Sequence, residues 1–124
     1  MTAVIERVRI SAVGKQQLAT LKRRTGIEHY NVICRHALCV SLANASRVPT
    51  ENLQYSGGLE IDWKTFAGDA DATLTNLLIV RAVADEGSSS PGAVRAVLQA
   101  HLHRGLAYLV SDPRSLGQHG LLLT

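Results

Sequence analysis

The sequence predicts a mainly α fold. It reads as a compact helical domain of about four helices with a short N-terminal β-strand, in a chain that forms oligomers. Three observations predict it. Apolar residues make up 46% of the 124-residue chain and charged residues 19%, a globular balance. Stretches of helical period with recognisable caps fill most of the sequence from residue 12 to residue 110. Residues 3–10 alternate in part, as a strand does. Residues 1–111 are expected to form one domain and residues 112–124 a C-terminal tail.

The strand, AVIERVRI, sets Val4, Glu6, Val8 and Ile10 on one face and Ile5, Arg7 and Arg9 on the other. Ser11 is suited to cap a helix over 12–25, which Gly26 closes. Leu18, Leu21 and Thr25 form its inward stripe, Lys15 and Lys22 lie beside that stripe, and Arg23 and Arg24 lie further round. Basic residues at a helix C-terminus also suit the macrodipole, which gives them a reason to be there without any ligand. A second helix is expected over 28–45. Ile33, Ala37 and Val40 share one of its faces, but apolar residues spread almost all round it. Such a helix is central and buried or shared between subunits, and its Arg35 must reach a rim or pair with an acid. Residues 46–62, with Pro49 and Gly57-Gly58, read as a loop with a turn. Trp63 and Phe66 flank a short element as core anchors. A third helix spans 69–85 and ends at Gly87. Pro91 opens a fourth that runs to Val110.

Composition excludes several functions. Only five residues are aromatic (Tyr30, Tyr55, Trp63, Phe66, Tyr108), too few for an extended stacking platform for single strands. No apolar run approaches the roughly 18 residues of a membrane span. Glu6, Arg7 and Arg9 stand where a signal peptide would be apolar, so a cytoplasmic location is expected. Cys34 and Cys39 lie five apart on one helix, about 140° apart around its axis, and read as buried reduced thiols. Charge is uneven. Residues 1–47 hold eight basic side chains and two acidic ones, a balance of +6, and residues 48–124 hold five and eight, a balance of −3. Such asymmetry suits a polyanion partner, or a basic face that is simply solvated.

Motifs for catalysis are weak. His101 and His103 point about 200° apart on a helix and cannot chelate together, and His101 reads as a core histidine. His29 and His36 stand two turns apart, too far to share a metal. Asp62-Trp63-Lys64 has the D-x-K spacing of restriction-type nucleases, which hold Mg²⁺ on two carboxylates. Its upstream acid would be Glu51 or Glu60, and both lie in sequence that reads as loop. Ser88–Ser90 lacks nucleophile-elbow glycines, and no phosphate-binding glycine loop is present. No cofactor is expected.

The order strand, basic helix, glycine, central helix resembles a ribbon-helix-helix repressor, in which strands from two subunits pair and enter the major groove. Ile5, Arg7 and Arg9 would then face DNA. The residues themselves give a closer likeness. LATLKRRTGIEHYNVICRHALCVSL, then GGLEIDWKTFAGD, then AHLHRGLAYL, over about residues 18–109, resemble the DndE family, the small E subunit of the bacterial DNA phosphorothioation machinery. The likeness is poorest over LTNLLIVRAVADEGSSSPGA. The resemblance implies an accessory subunit without catalysis of its own. It would work beside a cysteine desulfurase, an ATP-pyrophosphatase-like iron–sulfur protein and an SMC-like ATPase. It implies binding of double-stranded DNA, with a preference for nicked duplex, and assembly into a tetramer. Carried onto this sequence, the phosphate contacts fall to Lys15, Lys22, Arg23 and Arg24, and less directly to Arg7 and Arg9. Three readings stand beside it: the ribbon-helix-helix repressor, a Mg²⁺-dependent nickase using Asp62 and Lys64, and a helical adaptor that binds only protein.

Overall fold

Ser11 leaves strand geometry and turns the chain into a helix, its hydroxyl accepting from the Gly14 amide at 3.0 Å. The computed structural model describes residues 5–49 and 52–112. In chain order these form β1 (Arg7–Ile10), α1 (Ala12–Thr25), α2 (Tyr30–Leu42), β2 (Leu59–Asp62), a short α3 (Trp63–Ala67) with a 3₁₀ turn (Gly68–Ala70), α4 (Asp71–Glu86) and α5 (Pro91–Ser111). Gly26 and Gly87 close α1 and α4 in left-handed conformation, and Ser90 caps α5 ahead of Pro91. The expected tail lies outside the described residues, apart from Asp112, as do Val4 and Glu51.

One core unites the elements. α5 is its axis: Val94, Val97, Leu98, Leu102, Leu106 and Leu109 are buried, mainly against α2, with α4 and α1 to the sides. The second helix is therefore central within its own chain, covered by α5, which accounts for its apolar character without a partner subunit. Exposed apolar surface lies on α4 instead, where Leu77, Val80 and Val83 follow at intervals of three and face solvent. Trp63 and Phe66 are core anchors as expected, their rings stacked at 5.4 Å.

Four expectations change. Residues 59–62 are a strand, not loop: β2 pairs antiparallel with β1, in the register Arg7 to Asp62 and Arg9 to Glu60. The strand–helix–helix order stands, but the ladder partner of β1 belongs to the same chain. Ile5 is buried, away from Arg7 and Arg9, because the chain bends at Glu6 and alternation begins only at Arg7. Cys34 is buried but Cys39 is exposed. Arg35, half-buried, forms no ion pair with an acid among the described residues and donates to the Phe66 carbonyl at 2.8 Å.

Candidate nucleic-acid interface

The predicted phosphate-binding residues divide into two groups. α1 carries Lys15, Lys22, Arg23 and Arg24, all exposed. Gly14, Leu18 and Leu21 point into the core. At 100° per residue, Lys15 and Lys22 then share one flank about 10 Å apart, and Arg23 points most directly outward. Arg24 lies about 200° from Lys22, on the opposite flank. It donates to the Val110 carbonyl at 3.1 Å, near the end of α5. Lys22 rests its ammonium 5.5 Å from the Tyr30 ring. Among the described residues no acid forms an ion pair with Lys15, Lys22 or Arg23.

The strand group is different. Pairing β1 with β2 turns Val8 and Ile10 inward and sets Arg7 and Arg9 on the outer face of the ribbon, opposite Asp62 and Glu60. Glu60 takes Arg7 at 3.2 Å and Arg9 at 3.7 Å. Two cations and two carboxylates share that face, so it carries no excess positive charge. The basic surface is the flank of α1. Arg9 also places its guanidinium 4.4 Å from the centre of the Tyr55 ring, and the Tyr55 and His103 rings meet nearly perpendicular, 6.2 Å between centres. Burial raises the Tyr55 phenol above its ordinary value of 10, and the Arg9 charge only partly opposes the rise, so the ring stays neutral.

The nuclease motif divides between two elements. Asp62 ends β2 and Lys64 lies in α3, while Glu60, the described upstream acid, is engaged by two arginines. Among the described residues no group of three or more His, Cys, Asp or Glu side chains is placed to hold a metal ion.

A family model described as DNA sulphur modification protein DndE matches residues 7–116, nearly the whole chain. The chain belongs to the DndE family. Its fold is similar to the crystal structure of DndE from Escherichia coli B7A, involved in DNA phosphorothioation modification. That similarity has a TM-score of 0.70 and 24% identity, over 87% of this chain and 99% of that one. No curated protein gives a significant match. Among the described residues of this DndE-family chain, no helix is long and apolar enough to cross a membrane.

A second constellation in the DndE-family chain had no sequence signal. His101 Nδ1 lies 2.8 Å from the Ser41 hydroxyl, and its Nε2 lies 3.0 Å from Asp85. The residue types are those of a nucleophilic triad, but Ser41 is fully buried, and its oxygen already accepts from Arg104 Nε at 2.8 Å. The group is a clamp. Arg104 donates to the carbonyls of Ser41, Asn44 and Ser46, and Arg81 to those of Leu42, Asn44 and Ser46. Together they satisfy the carbonyl end of α2, which has no basic residue in its own last turn. Burial pushes Asp85 upward, but hydrogen bonds from His101 and Arg81 outweigh it and hold the carboxyl below its ordinary value. Burial and the nearby Arg81 and Arg104 charges lower His101, against the hydrogen bond to Asp85, so the imidazole is neutral near pH 7. His101 is the core histidine expected. His103 also has structural partners, accepting from the Ser11 amide and facing the Gln99 carbonyl. Burial lifts the Cys34 thiol to about 12 and raises Cys39 as well, so neither has the lowered pKa of an activated thiol.

Proposed function

We propose that this chain is the DNA-handling subunit of a phosphorothioation complex, accessory to the chemistry and without a cofactor of its own. It binds double-stranded DNA, nicked in preference to intact, through the flank of α1. The observation that carries this reading is the set of Lys15, Lys22 and Arg23, exposed together and free of acidic partners among the described residues. Lysine and arginine bind a phosphate backbone by releasing counterions and need no base contacts. Arg24 contributes from the opposite flank, and Arg7 and Arg9 contribute less because Glu60 holds them. Family membership supports partners of the kind the resemblance implies: an ATP-pyrophosphatase-like iron–sulfur protein and an SMC-like ATPase, in the cytoplasm. The exposed stripe Leu77, Val80 and Val83 supports self-association, for which a tetramer is the expected form.

The repressor reading requires β1 to meet a second β1 and offer Arg7 and Arg9 to bases. Both arginines are paired with a β2 carboxylate, which weighs against it.

The test is binding of the purified chain, without metal, to nicked duplex, intact duplex and single strand over a salt series, with its mass measured alongside. The expected result is salt-sensitive binding by an oligomer, strongest for nicked duplex, with the DNA uncut. Absence of binding to any DNA at low salt would overturn the reading in favour of a protein adaptor.

A further inference from the structure

The outer face of the ribbon is charge-balanced, yet it is not plain surface. Between the ribbon and the chain before it lies a cleft of about 340 Å³, lined by Arg9, Ile10, Tyr55, Gly58, Leu59 and Glu60. Its chemistry is the Arg9 guanidinium, laid over one face of the Tyr55 ring, and the Glu60 carboxylate that pairs with it. A cleft with no excess positive charge is poorly suited to draw in phosphates. The same three groups are the means by which proteins hold a nucleobase. Rings and guanidinium planes stack on the face of an unstacked base, and a carboxylate accepts from an exocyclic amino group on its edge.

The cleft is also set in advance. The Tyr55 carbonyl accepts from the Gly58 amide at 3.0 Å, and the Gln54 carbonyl accepts from the Ala12 amide at 2.9 Å. Gly58 is pressed against the ribbon: a Cβ there would run into the Ile10 carbonyl and stand 2.9 Å from the Ser11 carbonyl carbon. The turn that delivers Tyr55 is thereby fixed to the end of β1, and Arg9 lies against the ring without having to search for it.

Within intact duplex the bases are stacked and their faces closed, so a one-base cleft finds a ligand only where a strand is interrupted. We infer that the Arg9–Tyr55–Glu60 cleft takes a single unstacked nucleobase bearing an exocyclic amino group, from the end of an interrupted strand lying along α1. This rests on the proposed duplex binding and assigns the preference for broken over intact duplex to one site.

The experiment compares four DNAs of equal length at one salt concentration: intact duplex, duplexes broken beside an unpaired cytosine or an unpaired thymine, and single strand. Free cytidine monophosphate serves as competitor. The wild-type chain is expected to bind the cytosine-bearing broken duplex best, ahead of the thymine-bearing one, with the free nucleotide failing to compete at equal concentration. Tyr55→Leu is expected to weaken binding to the broken duplex by about 5- to 150-fold, the equivalent of ~1–3 kcal/mol per stacked base, and Tyr55→Phe to keep it. Glu60→Gln, at an exposed position whose change spares the core, is expected to erase the preference for cytosine over thymine. Retention of both preferences by Tyr55→Leu and Glu60→Gln would overturn the inference and leave duplex binding intact. Single strand bound as tightly as broken duplex would overturn it too, by removing the role of the flanking helix. Failure of the wild-type chain to bind any duplex would instead bring down the proposed function, and this inference with it.

Discussion

Gly105 shows how much a single atom decides at the contact between α2 and α5. A Cβ there would run into the Ala37 carbonyl and stand 2.9 Å from the Ala37 Cα, both backbone atoms that cannot move aside alone. The two central helices approach this closely because position 105 has no side chain. Gly105→Ala is therefore expected to force them apart and cost about 3 kcal/mol or more. For a chain of this size that corresponds to a fall in Tm of roughly 10 °C. Gly92 is the control on the same helix. Nothing lies within 4 Å of its added Cβ, and Gly92→Ala removes only freedom of the unfolded chain. It is expected to gain about 0.5–1 kcal/mol. Thermal melts of the two variants should move in opposite directions. Equal losses would show that the helix itself, and not the contact at Ala37, sets the cost.

At the scale of elements, the clamp at the end of α2 gives stability a pH dependence whose sign follows from its chemistry. His101 is held below its ordinary value of 6.5, so the folded chain resists a proton that the unfolded chain accepts below that pH. Stability is then fully present above about 6.5 and falls as the pH drops beneath it. Asp85, held below its ordinary 3.8, adds a second loss only at stronger acid. The slope from His101 is at most about 1.4 kcal/mol per pH unit, the limit for one proton. His101→Asn is expected to be less stable at pH 7.5 and to lose less on going to pH 5. Urea melts at both values measure this, and parallel losses in the two proteins would assign the acid sensitivity to another group. What the sequence makes legible at this scale follows from locality. α1, α4 and α5 announce themselves because Ser11, Gly26, Gly87 and Pro91 act within a turn of their own positions. β2 does not. It offers only Leu59 and Ile61 as alternating apolar residues, behind a glycine pair, and its identity comes from β1, some fifty residues earlier. The clamp is equally silent, since Ser41 and His101 meet across sixty positions and no local pattern marks either. The lysines of α1 were legible as a group, whereas the neutralising of Arg7 and Arg9 depends on that same unseen strand.

For the whole molecule, the decisive property is where the charge remains unbalanced. A net charge of +3 is modest, and the ribbon face takes no share of it. The excess therefore falls along α1, a helix of 14 residues and about 21 Å, which spans roughly six base pairs of duplex. On the proposed reading Lys15, Lys22 and Arg23 would provide three phosphate contacts along its outer flank, enough for salt-sensitive attraction but few for tight binding by one chain. A symmetric assembly would repeat the flank, and the salt dependence would then count how many copies touch the DNA. Each phosphate contact contributes about 0.9 to the slope of log affinity against log salt. Replacing Lys15, Lys22 and Arg23 together by alanine is expected to reduce that slope by about 2.7 if one subunit's α1 lies on the duplex, and by about 5.4 if two do. The measurement is a titration series between low and moderate salt on wild type and the triple variant, at matched oligomeric state. An unchanged slope would remove this flank from the interface and return the basic half of the chain to a protein partner. A fall near 5.4 would mean that the duplex lies between two copies of α1, so that assembly creates the binding surface.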